Sequence, residues 1–233
     1  AATMNYKERS ASYTLTVNKA LLVVNGAPVV QDKYYDGTAD AVVTVSFADG
    51  NNALLKLKPT TDYTVTGTFS SPNASTSKQE VSIKIELRGD YAKNYELKKA
   101  TYTAYANIHA KPISIVSATA VGREYEKGNT SVTIDSVDFD GVVTPLVKGT
   151  DYTVTGEMAD ADAGKDKVVN ITVTLSGDAA TYYNLSDTMP TTTVEISKAT
   201  PVITAATWKT LMNNGIAVDI SDWATFNNTD GAK

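Results

Sequence analysis

Asp160, Asp162, Gly164 and Asp166 alternate along the run DADAGKD, and carboxylates spaced this way around a tight turn are what a hard cation such as calcium takes as ligands. The pattern stops short of a calcium loop. No glutamate stands where a bidentate ligand would close the site, and Lys165 and Lys167 bring positive charge into it. Asp160, Asp162 and Asp166 therefore read as a solvated hairpin turn, and no metal is assigned. A second candidate is aromatic: Tyr34, Tyr35, Trp208 and Trp223 could stack on the apolar faces of sugars if they shared one exposed surface. Core packing is the commoner fate of such rings. His109 is the only histidine and cysteine is absent, which removes disulfides, thiolate metal sites, cysteine nucleophiles and paired-histidine mechanisms together. His109 has no Ser and Asp partners at a recognisable triad spacing, and no carboxylate pair sits in a motif that would make one an acid and the other a base. No enzyme activity and no cofactor are expected.

The 233 residues carry 21 Lys plus Arg against 26 Asp plus Glu, a formal charge of −5. A mildly acidic chain without basic clusters is not built to displace counterions from phosphates, so nucleic acid is not an expected partner. The start AATMNYKERS lacks the charged-then-apolar pattern of a signal peptide. The longest apolar run, Ala20 to Val24, is far too short to span a bilayer, so membrane contact is expected only through an anchor outside this fragment.

The elements that would position these residues are set by an internal repeat, which changes every later inference. Thr61 to Gly67 (TDYTVTG) recurs letter for letter as Thr150 to Gly156. Upstream, Tyr34 to Gly37 (YYDG) matches Tyr125 to Gly128 (YEKG); downstream, Leu87, Gly89, Asp90, Tyr95 and Leu97 match Leu175, Gly177, Asp178, Tyr183 and Leu185. The joining segments Leu15 to Ala20, Ala106 to Pro112 and Val194 to Pro201 each end one β-like run and begin the next. The repeat is about 90 residues, the size of a small β-sandwich. It divides the chain into 1–18, the end strand of an upstream module; 19–109 and 110–198, two complete modules; and 199–233, the start of a third whose NNGIAVDI (Asn213 to Ile220) sits where the first has YDGTADAV.

Threonine (33) and valine (24) dominate a chain punctuated by Gly, Asn and Asp, the composition of short strands and turns. Val81, Ile83, Ile85 and Leu87 alternate with Ser82, Lys84, Glu86 and Arg88, and Val169, Ile171, Val173 and Leu175 repeat the pattern. Each is a strand with one buried and one wet face. In the shared heptad, Tyr63 and Val65, like Tyr152 and Val154, point to the core. The turns Asn25-Gly26, Asp36-Gly37, Asp49-Gly50 and Asp140-Gly141 separate strands too closely spaced for crossover helices, so antiparallel sheets are expected. Only Trp208 to Asn214 suggests a short helical turn. Tyr95 and Tyr183 are placed to peg a corner by hydrogen-bonding backbone.

The order KYYDGT (Lys33 to Thr38), GTDYTVTG (Gly149 to Gly156), DAGK (Asp162 to Lys165), LSGD with YNL (Leu175 to Asp178, Tyr183 to Leu185) and ISKATP resembles the YDG and MBG-type immunoglobulin-like repeats of large bacterial surface proteins and adhesins. The likeness covers roughly residues 19–201. The second unit departs at YEKG, and the first lacks the DAGK turn. The resemblance implies an all-β chain of tandem antiparallel sandwiches and carries no catalytic residues. What it implies of function is a non-catalytic stalk or adhesion module, extracellular, on a bacterial surface or secreted, with an unidentified surface partner or glycan. The alternative is a carbohydrate-binding module of a secreted bacterial protein. Two sandwiches in series would reach roughly 70–80 Å. The stub Ser12 to Lys19 is expected to extend a sheet, and Trp208 and Trp223 to be covered, by docking on an adjacent unit or by end-to-end strand complementation with a neighbouring molecule.

Overall fold

The computed structural model describes residues 10–51, 53–186 and 190–200. The chain is all-β and divides between His109 and Ala110 into two compact units. The first unit runs β1 (Ala20–Val24), β2 (Val29–Val30), β3 (Lys33–Tyr34), β4 (Asp40–Ala41), β5 (Val43–Thr44), β6 (Phe47–Asp49), β7 (Leu54–Leu55), β8 (Tyr63–Phe69), β9 (Gln79–Leu87), α1 (Gly89–Asn94), β10 (Tyr95–Leu97), β11 (Thr101–Ala106) and β12 (Ile108–His109). The second runs β13 (Lys111–Ala120), β14 (Arg123–Glu124), β15 (Ser131–Val132), β16 (Ile134–Asp140), β17 (Tyr152–Met158), β18 (Gly164–Leu175), α2 (Ala179–Tyr182), β19 (Tyr183–Leu185) and β20 (Thr191–Ser197).

Each unit is two sheets over one core. In the first, β10-β1-β6-β7 faces β11-β9-β8-β4, with the short pairs β12-β3 and β2-β5 beside them; in the second, β16-β13-β19 faces β14-β20-β18-β17-β15. The long strands keep the predicted alternation, with Val81, Ile83, Ile85, Val169 and Ile171 buried and their even-numbered neighbours exposed. The repeated heptad joins the sheets. Tyr63 meets Phe47 edge-on at 4.8 Å and Tyr152 meets Phe139 at 5.0 Å between ring centroids, the geometry that sets a positive ring edge against a negative face. The heptad's glycine is needed for approach: a Cβ on Gly156 would lie 2.7 Å from Ile134 Cδ1 and 2.9 Å from Val169 Cγ1, and one on Gly67 would collide with Val43.

Three features differ from the sequence expectation. The sheets are not wholly antiparallel: β1 pairs parallel with β10, β3 with β12, β13 with β19 and β14 with β20. A parallel neighbour requires a connection that returns the chain to the same end of the sheet, and α1 and α2, six and four residues long, lie in those connections just before β10 and β19. These helices are too short to show a 3.6-residue period, which is why the sequence hid them. The expected turn from Trp208 to Asn214 lies outside the described residues, as does nearly all of 199–233. Finally, residues 10–19 form no strand and are exposed throughout, with Tyr13, Leu15 and Val17 at 92%, 87% and 85%, so the apolar side chains of the stub do not dock on the adjacent unit.

The turn before the heptad repeats in both units. Lys58 and Val147 amides donate to the carboxylates of Asp62 and Asp151, both at 2.7 Å, and the residue two before each aspartate takes a left-handed backbone: Gly149 at φ 83° in one unit, Thr60 at φ 67° in the other. Thr60→Gly should therefore stabilise the first unit by about 0.5–1 kcal/mol by removing the strain of a β-branched residue there, read from urea unfolding. Ile83→Ala and Ile171→Ala should each destabilise their unit by about 2–5 kcal/mol, whereas Lys84→Ala and Thr172→Ala, on the wet face of the same strands, should change stability by less than about 0.5 kcal/mol. Equal shifts at inward and outward positions would show that the strand faces are misassigned.

Candidate functional site

The most built polar arrangement in the first unit is the turn Lys33-Tyr34-Tyr35-Asp36-Gly37-Thr38. Gly37 has φ 78°, a left-handed conformation that only glycine takes without cost. It folds the chain back so that Asp36 Oδ1 accepts from the Thr38 amide and the Thr38 hydroxyl, both at 2.9 Å. Lys33 reaches across the turn, donating to Asp36 Oδ1 at 2.8 Å and to the Thr38 carbonyl at 2.8 Å. Its side chain is only 18% exposed, and its ammonium lies 5.7 Å from the centre of the Phe69 ring, within cation–π range. Burial pushes Asp36 up, but hydrogen bonds from Lys33 and Thr38 outweigh it and hold the carboxyl below its ordinary value.

The second unit makes the same turn with different groups. Gly128 has φ 74°, and Arg123 stands in the place of Lys33. Its Nη2 donates to the Asn129 carbonyl at 2.5 Å and its Nη1 to the Glu124 carbonyl at 2.9 Å. Asn129 Nδ2 donates to Glu126 at 2.7 Å, and Asn129 Oδ1 accepts from the Ser131 amide at 2.9 Å. Three residues separate Lys33 from Gly37 and four separate Arg123 from Gly128, and the side-chain carboxamide of Asn129, just after the glycine, is the group that braces the second turn.

Both turns hang from a strand that is bonded to the last strand of the unit. The Lys33 amide donates to the Asn107 carbonyl at 3.0 Å and the Tyr35 amide to the His109 carbonyl at 2.9 Å; in the second unit the Tyr125 amide donates to the Ser197 carbonyl at 2.8 Å. The first unit adds a side-chain tie. Asp32 accepts from the Asn107 amide at 2.7 Å and from Asn107 Nδ2 at 3.2 Å, and its other near neighbour is His109 Nε2 at 3.5 Å. The bond from the Asn107 amide is the largest cause that holds the Asp32 carboxyl below its ordinary value. At the matching position the second unit has Gly122, whose Cβ, if present, would lie 2.9 Å from the Glu195 carbonyl.

The other candidate residues fall elsewhere. Asp160 is held by the Lys167 ammonium and accepts from the Asp162 amide at 3.0 Å, while Asp166 takes a left-handed φ of 52° at the bulge between Gly164 and Lys167. Among the described residues no group of three His, Asp or Glu side chains converges on a common point. Tyr34 is 59% exposed beside the His109 ring, centroids 6.2 Å apart, whereas Tyr35 is half-buried; the two do not form one platform. Trp208 and Trp223 lie outside the described residues. Tyr183 does peg a corner, its hydroxyl accepting from the Val143 amide at 3.0 Å; Tyr95 instead stacks on Tyr91 at 5.3 Å. The residues that sequence reasoning missed are Lys33 and Arg123, Asp32 and Asn107. The signal for the first pair was present, because a cation precedes the aromatic at the same repeat position in both units.

Asp36→Ala should remove the hydrogen bonds that fix the first turn and leave the partly buried Lys33 without its carboxylate, a loss of about 1–2 kcal/mol. Hydrogen exchange resolved by segment should show faster exchange around Lys33 to Thr38 and no change around Arg123 to Ser131. Because the folded Asp36 carboxyl is depressed, its contribution is present above the unfolded value and is lost as the pH falls through the folded one. Wild-type protection in this turn, measured against the intrinsic exchange rate at each pH, should therefore fall below about pH 4.

Searches of curated proteins and of solved structures return no match to this chain. The model of the YDG domain matches it twice, over residues 18–104 and 109–194. Those spans take in both glycine turns, both heptads and both long strands, so the chain belongs to the YDG domain family and carries two copies of its domain.

Proposed function

We propose that this chain is a non-catalytic structural module of a bacterial cell-surface protein, extracellular, in which tandem YDG units form a stalk or adhesive arm that bears tension. The observation that carries this reading is the parallel pairing of β3 with β12 and of β14 with β20. Tension on the chain reaches β3 from its N-terminal side and leaves β12 from its C-terminal side. In a parallel pair those two points lie at opposite ends of the ladder. The hydrogen bonds run across the strands and must then fail together in shear, whereas an antiparallel pair loaded in the same way would open one bond at a time. Within each glycine turn the polar groups are engaged with one another and with backbone, which suits a clasp. The carbohydrate-binding alternative needs rings that share an exposed face, and Tyr34 is the exposed member of its pair.

Single-molecule pulling on the whole chain tests this. Each unit should give its own unfolding event, at a force well above that needed to unzip a hairpin. Asp32→Ala should lower the force for the first unit alone. In the wild type, acidification below about pH 4 should weaken the first unit through Asp32, with no such contribution in the second, which has Gly122 there. Unfolding of both units at hairpin-like forces would overturn the load-bearing reading.

A further inference from the structure

The exposed stub has the in-and-out pattern of a last strand, and the two described units show what such a strand packs against. Aligned through the joint, Val17 corresponds to Ile108 and Ile196, Leu15 to Ala106 and Val194, and Tyr13 to Ala104 and Thr192. The joint itself is the same length: one residue separates His109 from the first strand at Lys111, and one separates Asn18 from the first strand at Ala20. The two templates agree on register. Ala106 and Val194 lie opposite Gln79 and Lys167, and Ala104 and Thr192 lie opposite Val81 and Val169, on the long strands β9 and β18. Ile108 and Ile196 lie opposite Lys33 and Arg123, and His109 and Ser197 opposite Tyr34 and Glu124, in the parallel pairs.

In those settings the inward positions are closed: Ile108 is 0% exposed, Ile196 1%, Ala106 1% and Val194 5%, against 85% for Val17 and 87% for Leu15. The outward Thr14 corresponds to Tyr105 and Thr193, which are exposed. The end of the stub is also anchored, because Lys19 Nζ donates to the Ala92 carbonyl at 2.6 Å, on the helix that precedes β10.

We propose that residues 13–18 are the last strand of another YDG unit, and that the surface covering Tyr13, Leu15 and Val17 is the free edge of that unit's long strand together with its basic-aromatic strand. Tyr13 lies opposite the residue equivalent to Val81, Leu15 opposite the equivalent of Gln79, Val17 opposite the equivalent of Lys33 and Asn18 opposite the equivalent of Tyr34. Main-chain pairing on both edges supplies affinity, and the alternating inward side chains supply selectivity for a sheet of this family. The inference rests on the repeat geometry and stands independently of whether the units carry load.

The test supplies the missing acceptor. In a fusion in which residues 110–190 directly precede Ser12 of the whole chain, the added segment has every strand of the second unit except β20, and the stub falls where Thr191 would. Calorimetric unfolding heat scales with the residues that fold, so it should rise to about one and a half times that of the unfused chain. A control fusion that carries residues 110–198, with its own last strand, should show the same rise. Leu15→Asp with Val17→Asp should return the first fusion to the unfused value, and Thr14→Asp with Thr16→Asp should not. If the control gains heat and the stub-completed fusion does not, or if the inward pair of substitutions has no effect, the assignment is wrong. Neither result bears on the pulling behaviour of the two existing units, so failure here and failure of the load-bearing reading are separable.

Discussion

Hydrogen bonds on both edges of the last strand close each unit, and most of the architecture follows from that requirement. The last strand, β20 in the second unit and the run of β11 and β12 in the first, pairs antiparallel with the long strand and parallel with a two-residue strand near the start of the unit. The first strand lies in the facing sheet, so the chain must cross from one sheet to the other before it reaches that early strand. The crossing wraps the beginning of each unit around its end, and the residue at the meeting point, Ile108 or Ile196, is among the most completely buried in the protein. Both sheets are thus tied by backbone as well as by the Tyr–Phe contacts of the core. A unit without its last strand would lose the inward side chains and two ladders at once.

The two units meet the same backbone demands with different residues, which separates what the fold needs from what it merely tolerates. A left-handed residue two before the heptad's aspartate is met by Gly149 and by the strained Thr60. A cation that braces the glycine turn is met by Lys33, pairing with a carboxylate, and by Arg123, whose planar fork reaches several backbone carbonyls instead. That exchange is physically sensible, since guanidinium presents more donors in a fixed geometry than ammonium does. Asp32 has no counterpart, because Gly122 lets the backbone approach Glu195 closely. The carboxylates and cations vary, while the positive-φ glycine and the inward stripe persist.

The strand faces, the repeat and the all-β class were legible because period-two alternation and a letter-for-letter heptad are local signals. Val81, Ile83 and Ile85 announce their burial without reference to anything distant. The parallel pairs were not legible. Partner choice depends on contacts between residues some 75 positions apart, such as Asp32 with Asn107, and a two-residue strand has no period to detect. The glycine turn was visible as a motif, but its cation was not recognised, since a lysine before an aromatic is ordinary until the fold brings it against Asp36. At the acidic run, alternating carboxylates raised a cation site that the neighbouring lysines argued against, and the side chain that meets Asp160 is Lys167.

The same economy explains why threonine is so abundant. Outward positions form cross-strand rows such as Thr68, Ser82 and Thr103, or Thr155 and Thr172. A β-branched hydroxyl side chain stiffens an exposed strand without adding an apolar surface. Several sheet edges are treated with similar restraint: β4, β7, β14 and β15 are two residues each, too short to template pairing with a stranger, although β11 and β16 are longer. A protein that repeats such units holds many sheets at high local concentration, where an open apolar edge would promote mispairing. Against that background the alternating Tyr13, Leu15 and Val17 are out of keeping with the surface of either unit. Their alternation is that of an interior face, and this is what supports assigning their other half to a long strand of the same family.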